Sequence, residues 1–189
     1  MAVRVKERTI EEVAEKLLGM STVLNKISYL ESVLKSGVAE DLKAKRFIWS
    51  KLARLYEDRK MFDRAARAFS SLAGIELMFR DKMDSYVMSA EMFCFAGKIQ
   101  DAEEMFNLAV RGADEVGRQK VLLARKNVYF KFAKDFEKRG KRGNAVKFYE
   151  KLNTMKLDEV EKEEVLRVLK ISYNALGMFR EARLLKDVK

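Results

Sequence analysis

The sequence predicts an all-α solenoid of about five antiparallel helix hairpins, and three observations carry that expectation. Pro is absent from the 189 residues and β-branched runs are few, so little in the chain opposes helices. Apolar residues recur at helical spacing between glycines placed just after the periodic runs. One pattern of small and bulky residues also returns along the chain at a constant internal gap.

Taken in order, the first helix is expected over 10–18, opened by the capping-box pattern Thr9-Ile10-Glu11-Glu12 and closed before Gly19. The second, 22–36, ends before Gly37 and completes an N-terminal hairpin with few matches to the pattern. Helix 40–59 carries Trp49-x2-Leu52-Ala53-x2-Tyr56, and helix 62–79 answers with Ala65-x3-Phe69-x2-Leu72. The pattern returns as Tyr86-x2-Ser89-Ala90-x2-Phe93 on 82–96 and Ala102-x3-Phe106-x2-Ala109 on 99–116, with Gly97 and Gly117 as breaks. A third copy places Tyr129-x2-Phe132-Ala133-x2-Phe136 on 119–139 and Ala145-x3-Tyr149-x2-Leu152 on 143–155, around Gly140. Val121, Leu122, Val128, Tyr129, Phe132, Ala133 and Phe136 form the apolar stripe of its first helix.

Helices 159–176 and 179–187, broken at Gly177, hold a weaker fourth copy, Leu166-x2-Leu169-Lys170-x2-Tyr173 before Ala182. There Lys170 stands at the small position and Lys186 at the second aromatic. In the three strong copies the small residues of the two helices are 12 apart, which chance does not repeat. The physics is helix packing: a small residue on each helix lets the backbones approach, and the aromatics fill the space to the next hairpin. A single hairpin leaves an apolar face bare, so the copies must stack.

On these residues the chain resembles the tetratricopeptide repeat family over 46–189. It departs in period, because Ala65, Ala102, Ala145 and Ala182 are 37, 43 and 37 apart rather than about 34. The usual terminal Pro is also missing. Long helices of this kind are similar in architecture to the divergent repeats of vesicle-fusion adaptor proteins. The resemblance implies one right-handed α-solenoid domain over 1–189, with a degenerate hairpin at 1–37 and repeats at 40–79, 82–117, 119–156 and 158–189. It further implies a non-enzymatic scaffold that holds a protein or peptide in a concave groove lined by the first helix of each repeat. Carried over by register, that lining includes Ser50, Arg54, Val87, Glu91, Asn127, Phe130, Lys134, Arg167 and Ile171. The family's carboxylate clamp of Lys, Asn, Asn, Lys and Arg falls on Ser50, Arg54, Met88, Asn127 and Lys131, of which at most two match.

Charge narrows the partner. Residues 118–151 hold twelve Lys or Arg against Asp135, Glu137 and Glu150, a net +9 within a chain of +10. Asn127, Lys131, Lys134 and Lys138 share one helical stripe. Such a footprint suits an acidic peptide or protein, with RNA or DNA as the second class of partner. The competing reading is a solvated face balanced by the acidic run Asp158, Glu159, Glu161, Glu163 and Glu164. Gly140-Lys141-Arg142-Gly143 has the GxxG form of a KH-domain clamp, but no strand pattern precedes it and it sits where other repeats turn.

Chemistry of other kinds is disfavoured. Without His and with one Cys, the chain lacks Ser-His and Cys-His pairs, disulfides and Cys-rich zinc sites. Cys94 between Phe93 and Phe95 reads as a packed thiol. The pairs Glu11-Glu12, Glu103-Glu104 and Glu163-Glu164 diverge around their helices, unlike paired catalytic carboxylates. No cofactor, metal or catalytic residue is expected. Met1 to Thr9 lacks an apolar core and no stretch is long enough to span a bilayer, so a cytoplasmic protein is expected. Abundant Glu, Lys and Arg with only Gln100 and Gln119 is a thermophile-like composition. Finally, Leu184 and Val188 lie off the packing face of the last helix and would meet water in a monomer, which a homodimer would prevent.

Overall fold

The computed structural model describes residues 5–7, 9–37 and 41–185. Among them every regular element is a helix. The order is α1 (Ile10–Leu18), α2 (Val23–Lys35), α3 (Leu42–Asp58), α4 (Phe62–Ile75), α5 (Phe79–Phe95), α6 (Ile99–Val110), α7 (Glu115–Lys138), α8 (Arg142–Asn153), α9 (Glu159–Ala175) and α10 (Phe179–Leu184). Val188 and Lys186 lie outside the described residues.

Four of the connections are one device used four times. After α3, α5, α7 and α9 the chain turns through a left-handed residue, Lys60 (φ 57°), Gly97 (74°), Gly140 (68°) and Gly177 (74°). In each turn the N–H three residues past the helix reaches back to the carbonyl of the register aromatic. The four bonds are Met61 to Tyr56, Lys98 to Phe93, Lys141 to Phe136 and Met178 to Tyr173, all 2.8–2.9 Å. The left-handed residue itself donates to Glu57, Cys94, Glu137 and Asn174. This pair of hydrogen bonds closes a helix end against water and aims the next helix back along the first. Lys170 in the fourth copy therefore does not break the repeat. The α1–α2 turn is built differently, with Gly19 in a right-handed conformation and the Thr22 hydroxyl accepting from the Asn25 N–H. Gly140 serves in its repeat as Gly97 and Gly177 serve in theirs, and the GxxG segment is a hairpin turn.

Several helix ends depart from the spacing-based expectation. α4 stops at Ile75, where Glu76 goes extended and meets Arg46 of α3 at 2.6 Å. α5 starts at Phe79, three residues earlier than expected. The helix expected to reach residue 116 stops at Val110, with the chain extended at Arg111 and left-handed at Gly112 (φ 82°). Asp114 then accepts the Gly117 N–H at 2.7 Å and starts α7, an N-cap role in which Asp is strongly favoured. Gly117 is consequently a first-turn helical residue and not a break.

By its contacts the chain forms two compact units, Met1–Val121 and Leu122–Lys189. In the first, α2 packs on α3, α3 on α4, α4 on α5 and α5 on α6. Its core is set by Ala53, Ala65, Ala90 and Ala102, all completely buried, with Tyr56, Phe69, Phe93 and Phe106 around them. The buried Ser89 hydroxyl, beside Ala90, donates to the Ala66 carbonyl at 2.7 Å and ties α5 to α4. In the second unit, Phe132 and Phe136 of α7 stack on Phe148 of α8, and α8 packs on α9. Ala133 and Ala145 are buried at that closure.

Hydroxyls at aromatic positions are matched with carboxylates. Tyr56 of α3 donates to Glu31 of α2. Tyr173 of α9 donates to Glu150 of α8 at 2.7 Å, and Tyr149 to Glu137 at 2.9 Å. Each pair spares a part-buried phenol an unmet donor. Where the second and third copies place Phe93 and Phe136 in the slot of Tyr56 and Tyr173, no acceptor is required.

Candidate partner-binding faces

The residues expected to bind a partner fall into both units. In the first, Arg54 sits on the exposed side of α3 and Val87 and Glu91 are half-buried on α5. The Arg54 guanidinium pairs with Glu57 at 2.9 Å and lies 5.3 Å from the centre of the Phe69 ring. It also reaches the Met88 sulfur at 3.9 Å. The first helices of neighbouring hairpins therefore touch at Arg54 and Met88, a contact that spacing alone did not signal.

In the second unit, α7 presents Asn127, Lys131, Lys134 and Lys138 to solvent, and α9 presents Arg167 and Ile171. Phe130 is half-buried, with the Lys134 ammonium 5.5 Å above its ring. The acidic run of α9 faces α7 and pairs with it. Lys126 meets both oxygens of Glu161 at 2.7 and 2.9 Å, and Lys134 meets Glu164 at 3.1 Å. Glu164, Arg167 and Ile171 follow at i, i+3 and i+7 on one face of α9. The balancing role considered for the acidic run holds for these two cations, while Arg167 and the 56% exposed Ile171 remain open to solvent on the same face. The start of α9 is fixed by a capping box between Asp158 and Glu161, so Glu161 both caps the helix and holds Lys126.

The remaining reactive side chain is inert in its setting. Cys94 is fully buried, and burial with the nearby Glu91 and Glu103 carboxylates pushes its thiol up to about 12, away from the thiolate. Among the described residues no three His, Cys, Asp or Glu gather as a metal site, and no helix is long and apolar enough to cross a membrane.

No protein-family model matches the sequence, and no curated protein matches it. The hairpins are tetratricopeptide-like in build. That statement rests on the shared turn, the buried alanine register and the sequential packing described above. Among solved structures, the chain is similar to a Podosopora anserina chain assigned as a kinesin light chain with nearly identical TPR-like repeats. The identity is 17%, over 93% of this chain and 89% of that one, with a TM-score of 0.38.

Proposed function

We propose that this protein is a non-enzymatic cytoplasmic adaptor whose first-helix faces hold an acidic peptide or protein segment carrying one bulky apolar side chain. The observation that carries the reading is the α9 face, where exposed Ile171 stands one turn from the cation Arg167. Phe130 under Lys134 gives α7 a similar pairing of ring and cation. An interface of this composition uses charge to speed encounter and the apolar contact to slow dissociation. Asn127 and Lys131 extend the face along α7, and Arg54, Val87 and Glu91 are assigned the same role in the first unit. Nucleic acid is less well served by this face, because the exposed Ile171 beside Arg167 is an aliphatic anchor that a phosphate backbone does not use. A second copy is assigned to the C-terminal surface around Leu184, which is 73% exposed.

The test is selection from a displayed library of random 12-residue peptides. Enriched peptides should be acidic with an aromatic or aliphatic anchor, and Phe130→Ala with Ile171→Ala should weaken them at least tenfold. Lys131→Glu with Lys134→Glu should abolish binding. Enrichment of basic peptides, or binding indifferent to both variants, overturns the reading.

A further inference from the structure

The ion pairs of the second unit divide its cations into two sets. Lys126 and Lys134 face α9 and are paired with Glu161 and Glu164. Around the α7–α8 turn, Lys138, Lys141, Arg142 and Lys147 are exposed and make no ion pair among the described residues. The acids nearest to them in the chain are occupied: Asp135 pairs with Arg139 at 3.1 Å, and Glu137 and Glu150 accept the phenols of Tyr149 and Tyr173. The positive excess of this repeat is thereby gathered at the hairpin turn and along the outer side of α8.

That surface lacks what a protein partner would grip. Between Leu123 and Val160 no large apolar side chain is exposed among the described residues, whereas protein interfaces draw most of their energy from buried aromatic and aliphatic anchors. The exposed side chains of α8 are Arg142, Asn144, Lys147, Glu150 and Asn153 instead, with Glu150 accepting the Tyr173 phenol. Nor does it expose an aromatic ring on which an unpaired base would stack. A phosphate backbone needs neither anchor nor ring, only spaced cations and hydrogen-bond donors.

We propose that the α7–α8 turn and the outer side of α8 dock the backbone of duplex nucleic acid without reading its sequence, through Lys138, Lys141, Arg142 and Lys147. Of these four only Lys138 also lies on the α7 stripe with Lys131 and Lys134, and the variant that tests the duplex leaves it in place, so either assignment can fail alone.

The experiment is fluorescence anisotropy of labelled 20-base-pair DNA and RNA duplexes with the full chain, from 50 to 200 mM salt. Four neutralised phosphates give a log–log slope of about −3.6, or roughly a 100-fold loss of affinity over that range. Lys141→Gln/Arg142→Gln/Lys147→Gln should reduce the slope to about −0.9 and weaken binding at least tenfold at 50 mM salt. A matched variant in the first unit, Lys35→Gln/Lys43→Gln/Arg80→Gln, has the same net charge and should bind as the wild type does. Circular dichroism on both variants checks that the helices are intact. The proposal is overturned if no duplex binds at 50 mM salt, or if the two variants lose affinity equally. It is also overturned if poly-glutamate or phosphatidylserine vesicles bind the same cations while duplexes do not.

Discussion

At the scale of single residues, the hairpin turn is the most exacting position in the chain, and one of its four occupants is a compromise. Lys60 holds φ 57° where the later repeats place Gly97, Gly140 and Gly177. A side chain in the left-handed region costs about 1–2 kcal/mol, partly offset by the freedom that glycine has in the unfolded chain. Lys60→Gly should therefore raise stability by about 0.5–1 kcal/mol, and Gly140→Ala should lower it by a similar amount. The urea midpoint followed by circular dichroism reads both. The three glycines announced their turns in the sequence, but no rule marks a lysine as left-handed. Only the gap of 12 between Ala53 and Ala65 pointed to the turn at Lys60. The Tyr–Glu pairs were silent for a related reason, since their partners lie 23–25 residues apart in two of three cases. Burial and the facing Glu31 and Glu150 carboxylates hold Tyr56 and Tyr173 in the neutral form, raising both above the ordinary phenol range. Their contribution is complete below the unfolded value of about 10. Above it the unfolded chain releases protons that the fold retains, and stability drops as pH rises toward the folded values. Tyr56→Phe/Tyr173→Phe should flatten the fall of the thermal midpoint between pH 9 and 11. An unchanged fall would mean that these phenols do not titrate differently in the two states.

At the scale of helices, identity and order were legible and several ends were not. Periodicity identified ten segments because each buries an apolar stripe against a neighbour. It overran α4 and α6 because apolar residues continue past their ends: Leu77, Met78 and Phe79 (the last already in α5) prolong one pattern, and Val116 in α7 prolongs the other. All four are exposed. Local chemistry stops both helices instead, through the Arg46–Glu76 pair, the left-handed Gly112 and the Asp114 cap. The basic stripe of α7 was likewise visible, while its division into paired and unpaired cations depended on α9 lying beside it. What the sequence did specify closely is the small-residue register. Ala90 is completely buried, and its neighbour Ser89 is bonded to the backbone of α4. Ala90→Leu should overpack that contact and cost about 1–3 kcal/mol. A thermal midpoint equal to that of the wild type would remove Ala90 from the packing contact.

At the scale of the whole molecule, the shared register of the repeats directs attention to a copy whose small position is not covered. Ala53, Ala90 and Ala133 are completely buried, yet Lys170, in their register on α9, is exposed among the described residues. With Asn174, Phe179, Ala182 and Arg183 it lines an open depression between α9 and α10. Phe179 and Leu184 are 59% and 73% exposed beside it, and Leu176 is exposed as well. Apolar area of this kind is stabilised by removal from water at about 25 cal/mol per Å², and a two-fold pairing of identical surfaces is the commonest way for a soluble chain to achieve it. The mixture of Phe179 and Leu184 with Arg183 and Glu181 on α10 is self-complementary in kind, since an antiparallel copy brings opposite charges to a shared apolar centre. Multi-angle light scattering at rising concentration should show the wild type moving toward twice the monomer mass. Phe179→Ser/Leu184→Ser should stay monomeric with its helix content unchanged. Because both side chains are exposed, the double variant has little packing to lose in the monomer, and its thermal midpoint at low concentration should match that of the wild type. A wild type that scatters as a monomer at every concentration removes the second copy and leaves this surface to a different partner.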